Sequence, residues 1–242
     1  MTTITSHNNP RLKELRKLQR RRDRDRSGLF LVEGEDLIAA ATEAGRTAIE
    51  GYRAAGTAVG GDGFDDVDPD VLAGVSTLGS GTRAIGVYEQ RFVAPTGLLC
   101  LCLWGVGDPG NVGTMLRGAL AFGASCVVLG PDCADPHSPK AVRASMGAIF
   151  AVGLARVSDV RELPGERVAL VAGAGEPLSQ MEESRPVTLL VGAERDGLPD
   201  EVVAACGRVA HIPIASESLN AAMAATVALY EMTRPSTRVP KS

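Results

Sequence analysis

From residue 97 onward, short apolar runs alternate with stretches of helical periodicity, and this alternation limits the chain to few folds. The six runs lie at 98–104, 126–129, 151–154, 168–172, 187–191 and 209–214. Apolar runs of this length, separated by helices, are typical of strands buried on both faces of a mostly parallel sheet. The sequence therefore predicts an α/β fold for this part of the chain.

The residues before 97 predict a second, smaller α/β domain. Strand-like runs lie at 29–32, 48–54 and 84–88, and 36–44 has helical character. The segment 56–70 is rich in Gly and Asp and is predicted to be a mobile loop. We expect a front domain over 1–90, a linker over 91–96, the larger domain over 97–235 and a flexible tail over 236–242.

Composition excludes several classes of protein. No apolar run approaches the ~18 to 20 residues of a membrane span, and the first residues lack the charged and apolar regions of a signal peptide. The five cysteines are odd in number and include no CxxC pair, and the three histidines, at 7, 137 and 211, are widely spaced along the chain. We therefore expect reduced thiols, a cytoplasmic protein, no membrane and no metal.

The charge is unevenly distributed along the chain. The whole chain has a net charge of −4, yet nine Lys or Arg stand against three acids between 11 and 26. Asn9 and Pro10 predict the start of a helix there, and Leu12, Leu15 and Leu18 form a narrow apolar stripe along it. The stripe would dock on the protein and leave the cations facing the phosphates of a nucleic acid, although a solvated helix face is the alternative. The residues predicted to contact nucleic acid here are Arg11, Lys13, Arg16, Lys17, Arg20, Arg21 and Arg22.

Three short segments lie where an apolar run ends and a helical pattern begins. They are GNVGTMLR at 110–117, VGAERDGLP at 191–199, and IPI at 212–214 followed by SLN at 218–220. The carboxyl ends of parallel strands meet at one edge of a sheet, so the three segments can assemble one site. In order and spacing they resemble the three signature motifs of the SpoU-type (TrmH-like) branch of the SPOUT superfamily.

This resemblance implies a fold and an activity. Members of the family are RNA ribose 2′-O-methyltransferases that use S-adenosylmethionine, form homodimers and contain a deep trefoil knot. The front domain is similar to the small L30e-like substrate-binding domain of many family members that act on ribosomal RNA, notably at NPRLK (9–13) and GLFLVEG (28–34). The segment SGTR at 80–83 departs from the Thr-Pro-Gln-Gly pattern common there, which leaves the contribution of that loop open. A housekeeping role and a role in antibiotic resistance are both compatible with these motifs.

The resemblance also implies roles for individual residues. Arg117 would contact the target nucleotide and activate the ribose hydroxyl. A guanidinium rarely loses its proton, so stabilising charge on the oxygen and clamping phosphate is a simpler role than acting as a base. The catalytic residues would be Arg117, Asn111, Glu194, Ser218 and Asn220. The cofactor-binding residues would be Gly192, Ala193, Gly197, Ile212, Ile214, Ser218, Leu219 and Asn220. A further RNA-facing segment at 138–147 would add Lys140, Arg143 and Ser145.

Ordinary structural roles are open for several of these side chains. Asn111 and Ser218 are good helix N-caps, whereas Asn220 has no equally simple structural explanation. Arg117 lies in a mostly apolar helical pattern and there needs a carboxylate or phosphate partner. Glu194 could be a loop carboxylate near Arg195.

Two other functions compete with the methyltransferase. GVGDPG at 105–110 fits the GxGxxG fingerprint of a Rossmann NAD-dependent oxidoreductase, with Asp132 near the end of the next strand. Pro109 in the turn disfavours it, as do the second and third motifs, which it leaves unexplained. The other alternative is a catalytically silent RNA-binding relative, which the complete set of motif residues disfavours.

Overall fold

The computed structural model describes residues 3–61, 63–77, 81–181, 185–216 and 218–234. The chain divides into two compact units. The first comprises Met1–Phe92, Pro109–Arg117 and Asp135–Ala151, and the second comprises Val93–Asp108, Gly118–Ala134 and Val152–Ser242. The predicted tail at 236–242, Ser80 of the SGTR segment and Asp62 lie outside the described residues. The domain boundaries expected from the sequence stay a prediction.

The front part of the chain folds into a small sheet with short helices. Its elements are α1 (Pro10–Lys17), α2 (Arg21–Ser27), β1 (Leu29–Glu33), α3 (Glu35–Glu43), β2 (Glu50–Ala54), β3 (Asp65–Val67), α4 (Pro69–Ala73) and β4 (Ala84–Glu89). The sheet order is β1-β4-β2-β3, with β4 antiparallel to β1 and β2, and β3 parallel to β2. The three predicted strands and the predicted helix are confirmed, apart from small differences at their ends.

The prediction of a loop over 56–70 is wrong in part, because β3 and the start of α4 lie there. The Asp68 carboxylate accepts hydrogen bonds from the backbone N–H groups of Asp70 (3.0 Å) and Val71 (3.3 Å). Pro69 occupies the first helical position. Asp followed by Pro is therefore the start of a helix here, since the carboxylate caps it and the Pro ring presets its first φ angle.

The predicted basic helix over 11–26 is in fact two helices, α1 and α2. The Asn9 side chain accepts a hydrogen bond from Arg11 N–H (2.9 Å), which confirms the predicted helix start. The three leucines of the apolar stripe are buried in a core that includes Leu31, Tyr52 and Val87. Arg24 is also buried and does not join the outward cations.

The rest of the chain alternates between strands and helices. Its elements are β5 (Leu99–Leu103), α5 (Pro109–Ala121), β6 (Cys126–Leu129), α6 (Pro139–Ser145), α7 (Ala148–Ala151), β7 (Gly153–Arg156), β8 (Glu166–Leu170), β9 (Glu176–Pro177), β10 (Val187–Val191), α8 (Asp200–Ala204), β11 (Arg208–His211) and α9 (Ala221–Thr233). The strands form one sheet in the order β7-β6-β5-β10-β8-β11-β9, and every neighbouring pair is parallel. The predicted parallel sheet is confirmed. The trefoil knot implied by the resemblance stays a prediction.

Some strand ends differ from the sequence prediction. β11 ends at His211, so the apolar residues 212–214 leave the sheet. Pro213 has no N–H to donate to a strand ladder, which explains why the strand stops before it. β7 begins at Gly153 instead of 151, and β8 spans 166–170 instead of 168–172. β9 has two residues and is too short to leave an apolar run.

The cysteines behave as small apolar side chains. All five are free, and Cys100, Cys102, Cys126 and Cys133 are buried. Burial raises the pKa of the thiols of Cys102, Cys133 and Cys206, so these three stay protonated at neutral pH. Among the described residues, no group of three or more His, Cys, Asp or Glu could hold a metal ion. Within the same residues, no helix has the length and apolar character needed to cross a membrane.

Candidate functional site

The segment after β10 forms a tight turn. Ala193 N–H donates to Gly197 O (3.0 Å) and Gly197 N–H donates to Ala193 O (3.1 Å). Gly197 has a φ of 68°, in the left-handed region that favours glycine. A Cβ atom on Gly192 would lie 2.1 Å from the carbonyl carbon of Gly197, so only glycine fits there. The turn leaves Glu194 exposed.

A cavity of about 210 Å³ lies beside this turn, at the carboxyl ends of β8, β10 and β11. The second motif contributes Gly192, Ala193 and Gly197 to its lining. The third motif contributes Ile212, Ile214, Ser218 and Leu219. Seven of the eight residues predicted to bind the cofactor therefore surround one cavity, and the eighth, Asn220, lies at the start of α9.

Sequence reasoning missed part of the cavity wall. Leu170, Val171 and Ala172 line it from the end of β8, and Ala221 and Ala224 line it from α9. The signal was present, since the apolar run at 168–172 ends at the same sheet edge as the motifs. The alanines belong to an Ala-rich run whose small side chains leave open space at the helix surface.

The chemistry of the lining is mostly apolar. The ionisable side chains in it are Glu194, Arg195 and His211. The Nδ1 atom of His211 lies 3.2 Å from the backbone oxygen of Ala174, which orients the ring. Apolar walls with a few polar groups suit a ligand that has a flat ring at one end and charges at the other.

A second cavity of about 420 Å³ continues from the first. The two share Ala172, His211, Ile212 and Ile214. They form one cleft, which we call the motif cleft. It follows the sheet edge along the loop after β11.

Asn220, and not Ser218, caps α9. Its side-chain oxygen accepts hydrogen bonds from the N–H groups of Ala222 (2.9 Å) and Met223 (3.3 Å). The expectations that Ser218 is the N-cap and that Asn220 lacks a simple structural explanation are both wrong. Ser218 is exposed and lines the motif cleft two residues before the cap.

Asn111 and Arg117 of the first motif lie on α5, in the stretch that belongs to the first unit, whereas Glu194, Ser218 and Asn220 belong to the second. α5 begins at Pro109, so Asn111 lies inside the first turn and the helix-cap explanation is wrong. Arg117 is exposed. Among the described residues no carboxylate pairs with it, so the salt-bridge explanation has no support.

Two of the basic residues predicted to contact RNA are held within the fold of the first unit. Arg11 forms a 2.6 Å salt bridge with Asp65. The Arg16 guanidinium donates to the backbone carbonyls of His7 (3.0 Å) and Gly74 (3.2 Å). Both side chains therefore have structural roles in addition to any role at RNA.

The other residues of this region that were predicted to contact RNA are exposed. Lys17 pairs with Glu14 within α1 (2.7 Å), and Arg21 pairs with Asp25 within α2 (3.6 Å). The remaining exposed predicted contacts are Lys13, Arg20 and Arg22. These three define what we call the outward basic face.

α6 carries the other predicted RNA contacts. Lys140 is exposed, and Arg143 is half-buried with its Nη1 atom donating to Thr77 Oγ1 (2.9 Å). Ser145 is fully buried and its hydroxyl donates to Val142 O (2.7 Å). The expectation that Ser145 faces RNA is therefore wrong, because its hydroxyl closes the last turn of the helix.

Comparison with known families gives two matches. Residues 98–230 match the SpoU rRNA Methylase family. Residues 9–52 match the MRM3-like substrate binding domain. The first match contains all three motifs, and the second contains α1, α2, β1 and α3 and ends within β2.

Individual relatives resemble the chain over almost its whole length. The 23S rRNA (guanosine(2553)-2′-O)-methyltransferase RlmP of Bacillus subtilis is 29% identical, over 96% of this chain and 99% of the relative. An AdoMet-bound rRNA methyltransferase from Sinorhizobium meliloti has a TM-score of 0.86 and 33% identity, covering 96% of this chain and 97% of that structure. The SpoU methyltransferase AviRb of Streptomyces viridochromogenes, in complex with AdoMet, has a TM-score of 0.84 and 26% identity, covering 94% of this chain and 98% of that structure.

Proposed function

The chain belongs to the SpoU rRNA methylase family, and from that premise we propose that it transfers a methyl group from S-adenosylmethionine to a ribose 2′-hydroxyl of ribosomal RNA. The observation that carries this proposal is the motif cleft, which the second and third motifs line together at one sheet edge. The structures from Sinorhizobium and Streptomyces contain AdoMet, which supports the cofactor. The name of RlmP supports ribosomal RNA as the substrate and the ribose 2′-oxygen as the atom that is methylated.

The residues of the motif cleft fit S-adenosylmethionine. Gly192, Ala193 and Gly197 present backbone groups without bulky side chains, and Ile212, Ile214 and Leu219 supply apolar surface for an adenine ring. Glu194 offers a carboxylate to the positively charged end of the molecule. When bound, S-adenosylmethionine supplies a methyl group that its sulfonium already activates. The protein therefore has to bind the cofactor and the RNA, orient the 2′-oxygen towards the methyl group and exclude water. Orientation alone provides effective molarities of about 10⁵ M or more.

Arg117 is the residue we assign to the ribose hydroxyl. Its guanidinium is exposed and has no carboxylate partner among the described residues. It would bind a phosphate of the target nucleotide and stabilise the negative charge that develops on the 2′-oxygen. Asn111 would assist it from the same helix. Ser218 and Asn220 would orient the cofactor-binding segment, Asn220 by capping α9.

The two competing functions explain less of the molecule. The glycines at 105–110, which suggested a dinucleotide site, are not among the described residues that line the motif cleft. The same segment lies within the SpoU rRNA Methylase match. A silent RNA-binding relative would have no use for a cleft lined by two intact motifs.

We also propose that the active form is a homodimer that works in the cytoplasm, where bacterial relatives meet ribosomal RNA. An exposed apolar stripe on α9 supports the dimer. Met223, Val227 and Tyr230 are 57%, 41% and 53% exposed and recur at helical spacing on one face. Phe122, whose ring packs against Tyr230, continues the same apolar surface. An apolar surface of this kind is typical of a protein interface.

The proposal is tested in two steps. Calorimetry should show that S-adenosylmethionine binds with a Kd in the micromolar range or tighter, which is a binding free energy of about −8 kcal/mol or more favourable. It should show no binding of NAD. Mapping of ribose methylation on RNA from cells with and without the gene should then reveal a 2′-O-methylated ribosomal nucleotide that depends on the protein. Preference for NAD, or an unchanged methylation map, would contradict the proposal.

A further inference from the structure

A buried carboxylate holds Ser76 and Thr77, which follow α4, within the first unit. Glu33, at the end of β1, is 5% exposed. It accepts hydrogen bonds from Thr77 N–H (3.0 Å), Thr77 Oγ1 (2.7 Å) and Ser76 Oγ (2.7 Å). Ser76 Oγ lies 2.6 Å from Thr82 Oγ1, so the described residues on both sides of 78–80 are held together. These side chains form a hydrogen-bonded polar cluster at the end of a buried strand.

The cluster orients Arg143 of α6 through Thr77. A hydroxyl has one proton, and that of Thr77 is directed to Glu33. The oxygen is then left to accept from Arg143 Nη1, at 2.9 Å. Among the described residues this hydroxyl is the side-chain partner of Arg143, and no carboxylate pairs with it directly. The guanidinium is thus held in place by a neutral group and keeps most of its five N–H donors for a ligand.

Met146 lies next to this arginine in a backbone conformation that its side chain disfavours. It ends α6 with φ 48° and ψ 41°, and its N–H donates to Arg143 O (3.1 Å). Glycine is the usual residue at such a left-handed helix end. The chain instead places a Met whose side chain is 56% exposed. More than half of its apolar side chain is therefore accessible to a ligand.

α6 packs directly on α5, the helix of Asn111 and Arg117. A Cβ on Gly113 would lie 2.3 Å from Ala141 O and 2.6 Å from Ala144 Cβ. This glycine of the first motif is what lets the two helices approach. Arg143 and Met146 therefore belong to a helix that adjoins the proposed catalytic helix.

We propose that Arg143 and Met146 form a contact site for one nucleotide of the RNA substrate, with Glu33 and Thr77 as positioning residues. The site rests on the proposed function. A guanidinium fork matches a phosphate, and a polarisable thioether packs against the flat face of an unstacked base. A site that binds both a phosphate and a flat ring fits a nucleotide, which contains both groups. Lys140, one turn before Arg143, adds positive charge on the same side of α6.

The test measures binding to 23S rRNA transcribed in vitro, across a range of salt concentrations, without cofactor. Arg143→Gln should weaken binding and reduce the slope of log affinity against log salt by about 0.7, as expected for one lost contact to single-stranded RNA. Met146→Ala should weaken binding about five-fold and leave the slope unchanged, since an apolar contact releases no counterion. Met146→Gly should bind as weakly as Met146→Ala while its thermal midpoint stays equal to or above that of the wild type.

The positioning role has its own readout. Thr77→Val keeps the charge of Arg143 but removes its anchor, so KM for RNA should rise about five-fold while kcat at saturating RNA is preserved. Thr77→Ser retains the hydroxyl and should restore the wild-type KM. A merely structural Thr77 would change the thermal midpoint without this split between KM and kcat.

Two matched controls separate the site from general effects. Arg161→Gln removes an exposed arginine from the second unit, and Ile49→Ala removes a half-exposed apolar side chain from the first. Both should bind RNA as the wild type does.

If Arg143→Gln and Met146→Ala also bind as the wild type, the nucleotide site is wrong and the proposed function stands. If Met146→Ala alone has no effect, Arg143 is only an electrostatic contact and the site is again wrong. A wild-type protein that neither binds nor methylates RNA overturns both proposals.

Discussion

Arg24 Nη2 lies 2.6 Å from Asp135 Oδ2, and the two side chains are only 3% and 4% exposed. Arg24 Nε also donates to the same oxygen (2.8 Å), and Nη1 donates to Leu18 O (2.8 Å). A buried pair with this many hydrogen bonds joins α2 to a segment 111 residues away in sequence. The most basic stretch of the chain is therefore partly a structural element of the first unit.

Arg24→Ala should destabilise the protein by about 3–5 kcal/mol, because it leaves the Asp135 carboxylate buried without its partner. The measurement is urea unfolding at constant pH. Arg22→Ala, at a side chain that is 84% exposed, should change stability by less than about 0.5 kcal/mol. Equal stability of the two variants would mean that the pair contributes no more than a surface contact.

Neutralising the outward basic face (Lys13→Gln, Arg20→Gln and Arg22→Gln together) should weaken RNA binding. It should also reduce the log–log salt slope by about 2 to 3, at 0.7–0.9 for each phosphate contact. Point variants are needed because deletion of 1–26 would also remove Arg24 and the three buried leucines of α1 and the turn after it. Salt-dependent filter binding provides the measurement. An unchanged slope would identify this face as solvated surface only.

Gly192→Ala should reduce affinity for S-adenosylmethionine at least ten-fold, because the added Cβ would overlap the backbone of Gly197 at 2.1 Å and displace the turn. Titration calorimetry measures the effect. Gly207→Ala is the matched control, since a Cβ there would meet its nearest neighbour at 3.9 Å. Wild-type affinity in Gly192→Ala would show that the turn does not form the cofactor site.

Arg117→Ala should lower the single-turnover methylation rate by about 10² or more, as expected for loss of a donor to developing negative charge. Arg117→Lys should restore little, because an ammonium lacks the planar fork that could hold phosphate and oxygen together. Affinity for S-adenosylmethionine should stay within a few-fold of wild type. Rapid-quench assays at saturating RNA give the rate, and Arg161→Ala serves as the control. Normal methylation by Arg117→Ala would remove Arg117 from the mechanism.

Tyr230→Asp should convert the proposed dimer into a monomer, because a charge would replace an aromatic ring within the exposed apolar stripe of α9. Light scattering coupled to gel filtration gives the mass directly. Ile49→Asp changes an equally exposed apolar residue on the first unit and should leave the mass unaltered. A wild-type protein that is monomeric at micromolar concentration would contradict the dimer itself.

Local patterns in the sequence were sufficient for most of the secondary structure. The apolar runs around Leu101, Val128 and Leu189 became buried strands of a parallel sheet, since a continuous apolar run of that length is stable only between two covered faces. The second and third motifs came together because both follow strands of one sheet and begin at its carboxyl edge. The bend between Gly192 and Gly197 was also readable, since no other residue tolerates that geometry.

Other features depended on tertiary structure. Arg24 and Arg22 are neighbours of identical chemistry, yet one is buried and the other exposed, because only Arg24 meets Asp135 from a distant segment. Ser218 and Asn220 are both good caps, and only the position where α9 begins decides between them. The hydrogen bonds that join Thr77 to Glu33 and to Arg143 could not be inferred from the spacing of these residues in the sequence. Helices, strands and turns depend on the periodicity and chemistry of neighbouring residues, so the sequence predicts them. The partner of a polar side chain depends on which distant segments pack together, which only the tertiary structure determines.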